Sequence, residues 1–167
     1  YVPKVDISRV IPDNAEAGRL AAEHLLSRGY RNLAFFQATG SYNIRIREAG
    51  FRAAALKAGA NYFHWDFPAA EKRGETSWAR YLETMLTTTP RPLGILAQSD
   101  NRAVQLLGMC EDLGLRVPQD LAIVGIDNNE AACELASVPI TSVDIDWETL
   151  GFRGAKLLDD MLHGRRE

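Results

Sequence analysis

The sequence predicts an α/β fold: a three-layer α/β/α, doubly wound, mostly parallel sheet with helices on both faces. Three observations predict it. Short β-rich runs alternate with stretches of helical period along the chain. Four of those runs pass directly into polar residues at their C-terminal ends, as strand-to-helix loops do along one edge of an open parallel sheet. With 167 residues, 46% of them apolar and 25% charged, the chain is long enough for one domain core and too apolar to stay disordered.

Each element has its own signal. Asp13 caps a first helix over residues 14–28, with Glu16 at the capping-box position; Leu20, His24 and Leu25 recur at helical spacing, and Gly29 ends it. Residues 32–37 (NLAFFQ) read as a buried strand. A second helix over 43–58 turns Phe51 and Ala55 inward and stops at Gly59; a short strand over 62–65 follows. The third helix, 76–87, carries Trp78, Leu82, Met85 and Leu86 on one stripe and is broken by Pro90-Arg91-Pro92. Residues 93–97 form the next strand, and Asp100 caps a helix carrying Ala103, Leu107 and Cys110 that ends near Gly114. A strand over 121–126, a turn or short helix over 127–135 and a strand over 140–145 lead to a last helix, 147–162, which packs through Leu150, Gly154, Leu157, Leu158 and Met161. The pattern contains no internal repeat, low-complexity tract or linker.

Composition narrows the function classes. The net charge of −3 argues against a DNA footprint on this segment, because phosphate neutralisation needs a clustered basic face. No apolar run approaches the roughly 18 residues of a membrane helix, and the opening YVPKVDISRV lacks the regions of a signal peptide, so no membrane partner is expected. Cys110 and Cys133 lie far apart with no ligand spacing; neither a disulfide framework nor a metal site is indicated, and a reducing cytoplasm fits. The chain opens on an apolar stretch and closes on Gly164-Arg165-Arg166-Glu167, and reads as a segment of a longer protein.

The polar strand ends carry the functional signal: residues 41–47 after the first strand, Gln98-Ser99-Asp100, Asp127-Asn128-Asn129, and Asp146-Trp147. Arg, Asp, Asn and Trp gathered on one edge suit an uncharged, polyhydroxylated ligand. A guanidinium donates a fork of hydrogen bonds to adjacent hydroxyls, a carboxylate accepts from a diol, and an aromatic face covers the C–H side of a sugar ring. There is no GxGxxG, GxxxxGK[ST] or GxSxG motif, and His24, His64 and His163 stand beside no candidate nucleophile, so phosphate-loop, cofactor and nucleophilic-enzyme readings lack support. Plainer roles compete: Asp13 and Asp100 as helix caps, Arg47 as a solvated helix residue, Asp127 as a turn aspartate, and Trp147 and Cys110 as core.

Two segments, DNAEAGRLAAEHLLSRG from Asp13 and LGLRVPQDLAIVGIDN from Leu113, followed by Pro139-Ile140-Thr141-Ser142-Val143, resemble the sensory domains of the lactose-repressor family. These are C-terminal lobes of the type I periplasmic-binding-protein fold, and the likeness covers nearly the whole chain. Arg47-Glu48-Ala49-Gly50-Phe51-Arg52, Ser99-Asp100, Cys110-Glu111-Asp112-Leu113 and Gly125-Ile126-Asp127-Asn128 are most similar to the xylose-operon regulators, which join such a domain to an AraC-type DNA-binding domain. Ser99 departs from the asparagine common in lactose-type repressors and sides with the xylose group. The resemblance implies that Arg47 and Asp127 are the main contacts to a sugar effector, D-xylose or another pentose. Ser99 and Asp100 lie beside them, Trp147 is a pocket wall, and Asn14 and Glu16 sit near the lobe edge. It further implies that residues 1–167 are one effector-binding lobe, with the other lobe and an operator-DNA-binding domain elsewhere in a homodimeric parent, and that sugar acts by lobe closure. A sugar-binding component of a periplasmic transport system and an enzyme on a related fold are the alternatives.

Overall fold

A computed structural model describes residues 7–67, 69 and 77–165. The elements in chain order are α1 (Asn14–Ser27), β1 (Asn32–Gln37), α2 (Tyr42–Lys57), β2 (Asn61–Asp66), α3 (Trp78–Thr88), β3 (Leu93–Ala97), α4 (Asp100–Asp112), β4 (Leu121–Ile126), α5 (Glu130–Glu134), β5 (Thr141–Val143) and α6 (Trp147–Leu162). The strands form one sheet in the order β2-β1-β3-β4-β5, every pair parallel, with Phe35 opposite Leu96 and Leu96 opposite Val124 across its centre. The α/β doubly wound expectation is met. Strands β1, β3 and β4 are almost wholly buried, which is why they read as unbroken apolar runs rather than alternating ones.

Two apolar layers flank the sheet. On one face α1 and α2 bring Ala21, Leu25, Phe51 and Ala55 down onto Leu33, Phe35, Leu96 and Val124. On the other, Leu82 and Leu86 of α3 and Leu106, Leu107 and Cys110 of α4 cover Phe36, Ile95 and Ile123. The buried face of α1 carries the small residues Ala17, Gly18, Ala21 and Ala22 beside Leu25, and Leu20 points outward instead of in. The reason is the closeness of α2: a Cβ on Gly18 would stand 2.0 Å from the Arg47 carbonyl oxygen, and one on Gly50 2.1 Å from that of Ala15. Only glycine lets these two backbones touch.

Several elements differ from expectation. Asp13 caps α1 through its carboxylate, which accepts from the Glu16 amide at 2.9 Å, but the Glu16 side chain holds Arg19 instead of completing a capping box. Asp100 is not a cap: Ser99 occupies that position, without a side-chain capping bond, and Asp100 lies inside the first turn of α4. β5 keeps only the middle of the expected 140–145 strand, since the Ile140 amide bonds back to Cys133 and the Asp144 carboxylate turns the chain by accepting from the Asp146 amide. α6 has the expected bounds but no buried residue; Leu150, Gly154 and Leu157 are half-covered, while Leu158 and Met161 face outward with Phe152 and Leu162. Trp147, at its start, is 56% exposed and is not core. The first two residues of the expected third helix divide: Thr76 lies outside the described residues, and Ser77 precedes the helix.

Candidate effector site at the strand ends

The C-terminal ends of β1, β3, β4 and β5 meet along one edge, and Arg47 reaches that edge from α2. The inward stripe of this helix runs Ile44, Arg47, Phe51, Ala55, so a cation occupies a position at which helical periodicity places an apolar residue. It is 7% exposed and held on three sides: Nε donates to Asn14 Oδ1 at 2.7 Å, Nη1 to the Gln98 carbonyl at 2.8 Å and Nη2 to Asp127 Oδ1 at 3.2 Å. Asn14, also buried, is fixed in turn by its amide bond to the Pro12 carbonyl. A guanidinium has five N–H groups, so these three bonds leave donors over.

Asp127 follows β4 with φ +112°, and Asn128 has φ +50°. The Asp127 side chain is 28% exposed, and its amide donates to the Val143 carbonyl at 3.1 Å. Burial pushes its carboxyl above the ordinary aspartate range, while the Arg47 charge pulls the other way and Asp100 adds to the rise. Trp147 donates its indole N–H to the Asp127 carbonyl at 3.0 Å, so the exposed ring leans on this corner. Asp100 is 1% exposed; its oxygens accept from the Ser142 hydroxyl at 2.6 Å and the Asn129 amide at 2.7 Å. Ser99 is half-buried beside it.

Of the residues singled out in the sequence, Arg47, Asp127 and Asn14 are joined by direct bonds, Trp147 touches the Asp127 backbone, and Ser99 and Asp100 begin the neighbouring helix. Glu16 faces Arg19 instead. Two further residues were named without these roles, Gln98 as part of a polar strand end and Ser142 within a quoted segment. Gln98 supplies a carbonyl to Arg47, and its side-chain oxygen accepts from the Ala38 and Thr39 amides at 2.6 and 3.0 Å, tying the β1 exit to β3. Ser142 accepts from the Asn128 amide at 3.1 Å. The polar close of LGILA at Gln98 marked the position but not these bonds. Among the described residues no group of three or more His, Cys, Asp or Glu side chains is placed to hold a metal ion, and no helix is long and apolar enough to cross a membrane.

A buried guanidinium beside a half-buried carboxylate at a sheet edge is the arrangement expected of a ligand-binding crevice in an open α/β fold. Residues 22–167 match the model of the periplasmic binding protein-like domain. The chain belongs to that family. The Escherichia coli (strain K12) xylose operon regulatory protein is 32% identical over 159 residues, which cover 92% of this chain and 40% of that protein. The solved complex of the transcriptional regulator CelR with cellobiose is 30% identical with a TM-score of 0.80, covering 99% of this chain and 50% of that one. The structure of the xylose-binding transcription activator xylR is 27% identical with a TM-score of 0.82, covering 97% and 43%. This periplasmic binding protein-like domain thus spans half or less of each relative, and those relatives are named as regulators of transcription or of an operon.

Proposed function

We propose that this chain is the sugar-sensing lobe of a bacterial transcriptional regulator of the lactose-repressor type, cytoplasmic and homodimeric, with D-xylose or a related neutral sugar as its effector. The observation that carries this reading is the Arg47–Asp127 pair, placed at the strand ends by a buried scaffold of Asn14 and the Gln98 carbonyl. Arg47 donates to one or two sugar hydroxyls and Asp127 accepts from another; charge-assisted bonds of this kind are about twice as strong as neutral ones. Ser99 and the exposed ring of Trp147 line the rim. Relatives whose names carry xylose and cellobiose support a sugar, and the xylose regulator supports the pentose.

In this reading the sugar also touches a second lobe and an attached DNA-binding domain in the rest of the protein. Sugar bound to both lobes shifts the population toward the closed arrangement, and only its differential affinity for that arrangement alters how the dimer holds operator DNA. The test is calorimetric titration of the full-length protein with xylose, ribose, arabinose, glucose, galactose and cellobiose. Heat from xylose that vanishes in Asp127→Ala supports the reading, and silence across the panel ends it.

A further inference from the structure

We infer that Asp100 and Ser142 are positioning residues for the effector site, forming a latch anchored on the buried Asp100 carboxylate that sets the direction of the Asp127 carboxylate without themselves meeting the sugar. The inference rests on the assignment of Asp127 as a sugar contact. Its starting point is the backbone: residues 127 and 128 both have positive φ, +112° and +50°, although neither is glycine. Side-chain-bearing residues hold such conformations only where the surroundings over-determine them.

Three consecutive amides show what does so. The Asp127 N–H goes to the Val143 carbonyl, the Asn128 N–H to the Ser142 hydroxyl and the Asn129 N–H to the Asp100 carboxylate, at 3.1, 3.1 and 2.7 Å. Ser142 is the hinge of this set. Its hydroxyl proton is committed to Asp100 Oδ1 at 2.6 Å, which turns the oxygen lone pairs toward Asn128. Asp100 therefore orders two of the three amides, one directly and one through Ser142, and does so with a charged acceptor inside the protein, where such bonds are strongest.

Space for the latch has been cleared in the sheet. A Cβ on Gly125 would lie 2.0 Å from Asp100 Oδ1, so the carboxylate fills the place a side chain of β4 would take. Because Asp100 belongs to the first turn of α4 and Ser142 to β5, the latch locks three elements around the corner that carries Asp127. At 1% exposure, with both oxygens engaged, Asp100 has no surface to offer a sugar.

The test uses the full-length protein, D-xylose as probe, and two readouts: calorimetric affinity, and amide hydrogen exchange at Asn128 and Asn129. Ser142→Ala is expected to weaken xylose binding and speed exchange at Asn128, and Asp100→Asn to weaken binding and speed exchange at both amides, each by about tenfold, the scale of one lost hydrogen bond. Ser142→Thr keeps the hydroxyl and stays within about twofold of wild type on both readouts. Asp127→Ala loses xylose binding and leaves the two amides protected. The Ser142 pair carries the test if Asp100→Asn does not fold. Unchanged exchange in Ser142→Ala overturns the latch, as does unchanged affinity in Ser142→Ala while Asp127→Ala is silent. Xylose binding retained by Asp127→Ala overturns the site assignment and the latch with it. The exchange readout needs no sugar, so the two failures are read separately.

Discussion

Arg47 is the residue on which the site turns, because a buried guanidinium is tolerated only where its donors are met. Asn14, the Gln98 carbonyl and Asp127 meet three of its five N–H groups. Arg47→Ala leaves those three acceptors facing a cavity and, under the proposed function, takes away a donor to the sugar. It should weaken xylose binding at least a hundredfold, the scale of two charged hydrogen bonds, and lower the melting temperature; calorimetry and thermal unfolding check the two halves. Asp127 behaves in the opposite sense toward stability. Its carboxyl sits above the ordinary range, chiefly through burial, so folding favours the protonated form. A raised folded pKa lends stability that is complete below the ordinary aspartate value and is lost as pH climbs through the folded value. Asp127→Asn stays neutral and keeps that stability at pH 7. Its melting temperature should equal or exceed that of wild type while sugar binding is lost. By the same sign, wild-type affinity should begin to fall on acidification at a pH above the ordinary aspartate range, a fall that titrations over a pH series would resolve. Residue types at strand ends marked the edge on which Arg47 and Asp127 stand, and the family resemblance, not the residue types, singled out the two. The part played by Gln98 stayed hidden, since its contribution to Arg47 comes from the backbone, which every residue type carries.

Among the elements, the α1–α2 pair decides where Arg47 stands. The two helices meet through Gly18 and Gly50 at a distance that admits no side chain, and the carbonyl facing Gly18 is that of Arg47 itself. Gly18→Ala should therefore cost about 1–3 kcal/mol as an overpacking change and weaken sugar binding as well, because α2 must move and Arg47 moves with it. Gly108→Ala is the contrast: within α4 nothing stands within 4 Å of the added Cβ, and the gain in helix propensity is about 1 kcal/mol. Chemical denaturation of both variants, set beside xylose titration, separates packing from propensity. Helical periodicity located α1 and α2 and counted Leu20 among the residues at helical spacing, yet Leu20 is exposed. Periodicity identifies a stripe, while the separation of two helices depends on which small residues face each other, and that follows from tertiary docking.

For the whole molecule, α6 is the informative element. Its sequence has the apolar content of a core helix, yet none of its residues is buried, and it touches the body through Trp147 and a half-covered seam. The proposed mechanism makes a reciprocal demand on the full-length protein: if sugar changes operator affinity by some factor, operator DNA must change sugar affinity by the same factor. Titrating xylose with and without operator fragments measures both sides of that equality. A sugar that binds and moves neither affinity would break the closure scheme.

The order and type of the elements, the parallel sheet, both core layers and the gathering of polar residues at the strand ends followed from the sequence by itself, because hydrophobic period and turn residues are local properties of the chain. The tertiary structure alone decided that Asp100 is a buried acceptor rather than a cap, that Ser142 and Gly125 belong to its setting, that Trp147 leans on the Asp127 carbonyl from outside, and that α6 lies unburied. Each depends on groups far apart in sequence meeting at one sheet edge. The pairings there are set by how α4, β4 and β5 dock, and by the backbone amides, which sequence patterning does not record.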